Sequence, residues 1–191
     1  MQMNKISIGD SFDLLYKMGD SCVDMILTDP PYDLEEHQKR FLHDQFRRVS
    51  KGWVIVFSPP ENQWLFPDIE QFLFWIKPIS TKNTSKSYSR FVEMMFVYGR
   101  GTWNSGRHWS QYTNVFNDLV DERNHPYKKP PSLIERLIKN HTEREDIILD
   151  PFAGSGIVCE TALRLGRKFI GIEINRDLIS DSFSPNQLSI E

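Results

Sequence analysis

Short apolar runs alternate with amphipathic segments along most of the chain. The runs are bounded by turn residues, which is typical of strands buried in a parallel sheet. The predicted strands are Lys5–Ile8, Val23–Leu27, Trp53–Phe57, Phe72–Ile76, Val92–Tyr98, Ile147–Leu149 and Lys168–Ile172. Helical periodicity is found at Asp13–Tyr16, Gln38–Val49, Ser132–Asn140 and Ile157–Leu165. Strands that alternate with helices predict an α/β fold in which helices cover both faces of the sheet.

Length and composition narrow the class of protein. The chain has 191 residues, of which 39% are hydrophobic, and this suits one domain with its own core. No apolar run reaches the ~18 residues that a membrane span requires, and the first residues carry no secretory apolar stretch, so we expect no membrane partner. The two cysteines, Cys22 and Cys159, are too few for a disulfide framework and favour a cytoplasmic location.

The charge of the chain is unevenly distributed. A net charge of −3 argues against a simple polybasic nucleic-acid binder. Between Lys77 and Asn117, however, six basic residues accompany a single acid, Glu93, so this stretch carries a charge of +5. On charge alone the stretch is either a solvated loop region or a surface that holds phosphates.

A glycine turn follows the predicted strand at Ile147–Leu149. Glycines at Gly154 and Gly156 let the backbone come close to a ligand, and a predicted helix begins directly after them. Glu173 ends the next strand 19 positions after Gly154, close to the ~20 expected of an acid that binds ribose hydroxyls. Because a phosphate-binding Gly-Lys-Ser/Thr and the third glycine of dinucleotide folds are both missing, the motif favours a nucleoside ligand without a pyrophosphate. The alternative is a purely structural strand–turn–helix.

A second candidate motif, Asp29-Pro30-Pro31-Tyr32, follows the predicted strand Val23–Leu27. Two consecutive prolines make this turn stiff. The Asp29 carboxylate and the Pro30 carbonyl are hydrogen-bond acceptors beside the flat ring of Tyr32. Such a set suits the exocyclic amino group of an aromatic base that stacks on the ring. The alternative is a strand-ending turn with an incidental proline pair.

Together, the two motifs resemble those of the amino-methylating DNA methyltransferases that use S-adenosylmethionine. Asp29-Pro30-Pro31-Tyr32 is similar to their catalytic motif, and Asp150-Pro151-Phe152-Ala153-Gly154-Ser155-Gly156 is similar to their cofactor motif. The catalytic motif comes first, as in the permuted beta class. The resemblance covers about Ile6 to Asn175. It implies a Rossmann-like class I methyltransferase fold, with a seven-stranded, mostly parallel sheet and one antiparallel strand near Val92–Tyr98.

The resemblance also implies roles for individual residues. The catalytic residues are Asp29, Pro30, Pro31 and Tyr32. The cofactor-binding residues are Asp10, His125, Lys129, Asp150, Phe152, Gly154, Ser155, Gly156 and Glu173, where His125 and Lys129 belong to a His-Pro-x-x-Lys-Pro segment. The residues expected to meet nucleic-acid phosphates are Lys82, Lys86, Arg90 and Arg107. Nearby aromatic rings either offer stacking surfaces or pack against the body of the fold, and they are Tyr88, Trp103, Trp109 and Tyr112.

The expected reaction is methyl transfer from S-adenosylmethionine to the exocyclic N6 of adenine in a flipped-out DNA base. Methylation of cytosine N4 is the nearest alternative, and an inactive subunit that binds nucleic acid or a partner is an alternative of another class. Methylation of cytosine C5 is not expected, because neither Cys22 nor Cys159 lies in the Pro-Cys pair that supplies its nucleophile. The five histidines show no paired ligand spacing, so no metal site is expected.

One domain accounts for most of the chain in this interpretation. Residues 1–179 form a single circularly permuted methyltransferase domain, with a short target-recognition insert at about 101–124. Residues 180–191 form a polar, flexible tail. An insert this short predicts loose sequence specificity or dependence on a second subunit, so the expected partners are DNA and either a homodimer mate or a second subunit.

Overall fold

Nine strands form one sheet in the computed structural model, which describes residues 1–77, 91–106, 108–119 and 129–190. In chain order they are β1 (Lys5–Ile8), β2 (Val23–Thr28), β3 (Ser50–Phe57), β4 (Gln71–Ile76), β5 (Val92–Gly99), β6 (Val115–Phe116), β7 (Ile147–Asp150), β8 (Lys168–Glu173) and β9 (Leu188–Ile190). They lie side by side in the order β6-β4-β5-β3-β2-β7-β8-β1-β9. β5 is antiparallel to its neighbours β3 and β4, and the other neighbouring pairs are parallel.

Helices cover both faces of this sheet. They are α1 (Ser11–Lys17), α2 (Glu36–Val49), α3 (Pro131–His141) and α4 (Ile157–Arg164). The apolar stripes of α3 and α4 are buried in one core, and those of α1 and α2 are buried in a second core. In β2, Met25 and Leu27 belong to the first core, whereas Ile26 belongs to the second. A strand buried on both faces needs apolar residues at consecutive positions, which explains the continuous apolar runs in the sequence.

The predicted α/β architecture and the single antiparallel strand are confirmed. Each of the seven predicted strands is present, with ends that move by at most three residues, as at Ser50 where Trp53 was expected. The predicted count of seven strands is wrong, because β6 and β9 add a short strand at each edge. Strands of two and three residues carry too little apolar pattern to be recognised, and they form because a longer edge strand offers them hydrogen bonds. Among the described residues no helix is long and apolar enough to cross a membrane.

The segment after Ser180 is not a frayed tail throughout. β9 pairs with β1 in parallel register, Ile6 facing Leu188. Phe183 is buried, and its ring meets that of Phe169 edge to face, with 6.0 Å between the ring centroids. The expected flexible tail is therefore corrected within the described residues, since one buried aromatic ring and one edge pairing hold the segment against the sheet.

Residues 101–106 and 108–119, within the predicted recognition insert, pack along α3. The Asn104 side-chain amide donates hydrogen bonds to the carbonyls of Lys139 and Thr142 at the end of this helix. Farther along the segment, Arg136 lies over the ring of Phe116, with 3.6 Å between the guanidinium carbon and the ring centroid. This part of the predicted insert therefore covers one face of the fold.

Two of the aromatic residues of this segment pack against the fold. The Trp103 ring packs against Tyr112 and His141, with centroid separations of 5.6 Å and 5.0 Å. The Tyr112 hydroxyl donates to the Asn104 carbonyl. Trp109 is 70% exposed. Packing is thus the role of Trp103 and Tyr112, while Tyr88 lies outside the described residues.

Replacing Phe183 by alanine is expected to lower the free energy of unfolding by ~3 kcal/mol, because it removes a buried ring and leaves a cavity beside Phe169. Urea denaturation of the purified chain measures this. Tyr16→Ala is the control, since Tyr16 is 73% exposed on α1. Equal stability of the Phe183 variant and the wild type would contradict the ordered tail.

Candidate active site

Acidic residues gather where four neighbouring parallel strands end. Asp10 follows β1, Asp29 follows β2, Asp150 ends β7 and Glu173 ends β8. The carboxyl ends of parallel strands are the usual place for ligand sites in α/β folds. A cavity of about 720 Å³ opens at this edge, and its wall includes residues of both predicted motifs.

The side chain of Glu173, at the end of β8, holds the glycine turn in place. The Gly154 amide donates to Glu173 Oε2 at 2.7 Å, and the Asn175 amide donates to Glu173 Oε1 at 2.8 Å. Gly154 has a φ of +52°, a left-handed conformation that favours glycine. Each oxygen of a carboxylate accepts more than one hydrogen bond, so Glu173 keeps acceptor capacity toward the cavity that it lines.

Some of the predicted cofactor residues line the cavity, and others lie outside its wall. Asp10 lines the cavity and also caps α1, where its Oδ1 accepts from the Phe12 amide at 2.7 Å. Phe152 and Gly154 also line the cavity. Gly156 instead faces the interior, since a Cβ there would lie 2.4 Å from the Phe183 ring. Ser155 contributes its backbone carbonyl, which accepts from the Ser180 amide at 3.3 Å.

Asp150 joins the two motifs to each other. Its side chain is buried, and Oδ1 accepts from the Thr28 hydroxyl at 2.8 Å and from the Phe152 amide at 3.2 Å. Thr28 immediately precedes Asp29, so the hydrogen bond ties the end of β2 to the glycine turn. Burial raises the pKa of Asp150 to about 7, against the lowering effect of these two hydrogen bonds.

The four residues from Asp29 to Tyr32 form part of the cavity wall. Asp29 Oδ2 is ion-paired with the Lys129 ammonium at 2.6 Å. Asp29 Oδ1 is buried and accepts no hydrogen bond of ordinary geometry within the part of the chain that the structure describes, although the Tyr32 hydroxyl interacts with this carboxylate. Burial raises the pKa of Asp29, while the charge of Lys129 and the interaction with Tyr32 oppose this rise. A buried acceptor without a donor is costly and points to a donor that a ligand would supply.

Lys129 lies in the same wall, although the sequence assigns it to the cofactor. Its ammonium is 2.6 Å from Asp29 and 2.9 Å from Glu93 Oε2, and it lies over the Phe57 ring at 4.6 Å from the centroid. The structure thus places Lys129 beside the Asp29 carboxylate. Sequence reasoning did not assign Glu93 a role, although it is the single acid of the cationic stretch and that contrast was a usable signal.

Several predicted residues lie outside the described ranges. They are His125, Lys82, Lys86, Arg90 and Arg107. Within those ranges, no group of three or more histidine, cysteine, aspartate or glutamate side chains is arranged to hold a metal ion.

The pKa of Asp150 predicts a pH-dependent stability. Because the folded-state pKa is raised to about 7, stability is fully present below the unfolded value near 4 and is lost as pH rises through 7. Asp150→Asn keeps an acceptor for Thr28 and removes this loss. The variant should therefore gain on the order of 3 kcal/mol relative to the wild type between about pH 4 and pH 7. Denaturant unfolding across this range measures the difference, with Asp44→Asn, an exposed change on α2, as the control.

Known proteins with similar sequences are named methylases or methyltransferases. A family model described as DNA methylase matches residues 62–184, about two thirds of the chain. The putative methylase YubD of Escherichia coli (strain K12) is 50% identical over 198 residues, which cover 90% of this chain and 85% of YubD. The DNA adenine methyltransferase YhdJ of the same organism is 52% identical over 62 residues, which cover 32% of this chain and 21% of YhdJ.

A solved structure shares the fold. The M1.HpyAVI–SAM complex has a TM-score of 0.73 and 24% identity, and the match covers 91% of this chain and 94% of that one. This likeness confirms the expected class I methyltransferase fold. The resemblance drawn from the two motifs is confirmed as well, and the chain belongs to the DNA methylase family, whose members transfer a methyl group from S-adenosylmethionine to DNA.

Proposed function

We propose that this chain transfers the methyl group of S-adenosylmethionine to the exocyclic N6 of adenine in DNA, with the target base flipped out of the duplex. The observation that carries the proposal is one cavity shared by the Asp29–Tyr32 loop and the Gly154 turn with Glu173. A donor held at the turn and an amine held at the loop would then lie side by side. Methyl transfer in line requires this proximity.

The cofactor end of the cavity suits a nucleoside that carries a sulfonium. The Glu173 carboxylate is an acceptor for ribose hydroxyls, and Asp10 is a second acid at the same edge. Ile174 and Leu178 add apolar surface to the rim. When bound, S-adenosylmethionine supplies a methyl group that its positive sulfur already activates.

The loop end of the cavity suits an aromatic amine. The amine nitrogen is a weak nucleophile because its lone pair is delocalised into the base. The Asp29 carboxylate and the Pro30 carbonyl would each accept one of its hydrogens, which favours the geometry that frees the lone pair. In methyl transfer the nitrogen would gain the methyl group that the sulfonium releases and would become positively charged, and the Asp29 carboxylate would stabilise this charge and accept the proton that the amine loses. Tyr32 is 41% exposed and offers its ring to the base.

Adenine is favoured over cytosine as the target. Residue 29 is an aspartate where serine would point toward cytosine N4 chemistry, and the relative YhdJ, similar over 62 residues, is named a DNA adenine methyltransferase. The matched family includes both N6 and N4 enzymes, so cytosine N4 is the alternative outcome of the test below.

DNA phosphates are proposed to meet the cationic residues of segment 78–90. Of the two described residues that flank this segment, Lys77 lines the cavity, and its amide donates to the Phe91 carbonyl at 2.7 Å. Lys82, Lys86 and Arg90 give the segment three positive charges and no acid, and Arg107 adds another within the insert.

We infer one methyltransferase domain over 1–179, in which the insert at about 101–124 recognises the target. A homodimer or a second subunit would extend the grip of so small a chain on DNA. Two free cysteines, Cys22 and Cys159, support a reducing, cytoplasmic location.

Asp29→Ala is expected to abolish methyl transfer, because it removes the acceptor that holds the amine. The assay incubates the purified chain with labelled S-adenosylmethionine and mixed DNA, followed by nucleoside mass spectrometry. N6-methyladenine supports the proposal, N4-methylcytosine replaces it with the alternative, and no product from the wild type supports an inactive binding subunit. Asp44→Ala, on the exposed face of α2, is the control.

Glu173→Ala is expected to weaken S-adenosylmethionine binding about tenfold or more, since charge-assisted hydrogen bonds to ribose and the brace of the Gly154 amide are both lost. Calorimetry measures the affinity. Asp29→Ala should leave this affinity within about threefold of the wild type, because it acts at the other end of the cavity. Glu160→Ala, an exposed change in the first turn of α4, controls for loss of charge. Unchanged affinity in the Glu173 variant would contradict this cofactor site.

A further inference from the structure

We propose that Glu93, acting through Lys129, is a positioning residue that sets the charge and the orientation of the Asp29 carboxylate. The inference rests on the proposed methyl transfer and adds a residue to which the sequence motifs gave no role. A row of closely spaced charges begins at Asp29, whose side chain is 36% exposed, and continues through more deeply buried groups along the cavity wall.

The row alternates in sign. Asp29 Oδ2 is 2.6 Å from the Lys129 ammonium, which is 2.9 Å from Glu93 Oε2, and Glu93 Oε1 is 3.3 Å from the Lys77 ammonium. Lys77 and Lys129 are each only 9% exposed, and the Glu93 side chain is 18% exposed. Charges this close and this poorly hydrated interact far more strongly than exposed pairs.

Lys129 needs more than one acid. Its ammonium is surrounded by the rings of Phe57 and Trp75, at 4.6 Å and 5.9 Å from their centroids, and has lost most of its water. Burial lowers the pKa of Lys129, and the charges of Asp29 and Glu93 more than compensate, so the net pKa is raised. Glu93 therefore keeps Lys129 charged and holds it at a fixed place beside Asp29.

The second effect of Glu93 is on Asp29 itself. Paired with Lys129 alone, the Asp29 carboxylate would be largely neutralised and would attract little positive charge. The negative charge of Glu93 offsets Lys129, so the pKa of Asp29, raised first of all by burial, is raised further by Glu93 and lowered by Lys129. The Lys129 ammonium also contacts Oδ2 of Asp29, so Oδ1 is the oxygen that would accept from the amine.

Strand direction explains how Glu93 reaches this place. β5 runs antiparallel to its neighbours, so its first residues lie at the edge where the other strands end. Met95 pairs with Phe57, the last residue of β3, and Glu93 pairs with Trp75 near the end of β4. A parallel strand would deliver its second residue to the opposite edge of the sheet.

Other titratable groups around Asp29 also bear on its ionisation. Those in the same cavity wall or in electrostatic contact with it are Lys129, Glu93, Tyr32, Asp150, Lys77, Asp33, Asp10 and Glu173. Lys129 and Glu93 act on Asp29 in opposite directions, so replacing each in turn separates their effects from the shared background.

The test measures single-turnover methyl transfer against pH, with saturating S-adenosylmethionine and DNA. Glu93→Gln should lower the rate about tenfold and move the acid limb to lower pH, because Asp29 loses a neighbouring negative charge and ionises more readily. Lys129→Met should move the same limb to higher pH, because Asp29 loses its cation. Cofactor affinity by calorimetry should change less than about threefold in Glu93→Gln.

The chain offers a matched control in an acid–base pair on α3. Glu135→Gln and Lys139→Met remove the same charges from a contacting pair outside the cavity, and neither should move the pH profile. Glu93→Gln is nearly isosteric and tests the proposal even where Lys129→Met fails to fold. A wild-type rate and profile in Glu93→Gln would overturn the proposal. The proposal would also be overturned if both variants lost rate while the acid limb of the pH profile stayed in place, because a merely structural role predicts that result. Absence of product from the wild type would instead refute the proposed function itself.

Discussion

A buried ammonium must keep a counter-charge, and the Asp29–Lys129 ion pair meets this requirement at the centre of the site. The Lys129 side chain is only 10% exposed, whereas that of Asp29 is 36% exposed, so loss of Asp29 would leave the charge of the lysine uncompensated in a poorly hydrated place. Lys129 is itself buried against aromatic rings and needs a second acid. The loop after β2, the residue just before α3 and the start of β5 are therefore brought together by one electrostatic constraint.

Sheet topology and site chemistry depend on each other here. Parallel strands deliver Asp10, Asp29, Asp150 and Glu173 to one edge, and the reversal of β5 adds Glu93 to the same edge. Five acids at one edge repel each other unless cations or hydrogen-bond donors offset their charges. Asp150 accepts from Thr28, and Glu173 accepts from the glycine turn. Asp29 and Glu93 share the ammonium of Lys129.

Short segments outside the cavity wall also serve to cover the sheet. Residues 101–106 and 108–119 run along α3 and cover a face of the sheet. The same segment was expected to read DNA, and much of it contributes to packing. The short strands β6 and β9, which together have only five residues, form the two outer strands of the sheet.

The sequence by itself determined the α/β class, the places of seven strands, the two motifs and the family, because apolar periodicity and stiff turns are local properties. It also located Asp29, Gly154 and Glu173, which the structure brings to one cavity. Only the tertiary structure decided that Lys129 binds the Asp29 carboxylate, that Glu93 lies beside them, and that the segment after Ser180 is held by Phe183 and β9. The Glu93–Lys129 pair joins residues 36 positions apart, and the pairing of β1 with β9 joins residues more than 180 positions apart. The energies of such contacts come from burial and charge pairing, which no local pattern of residues records.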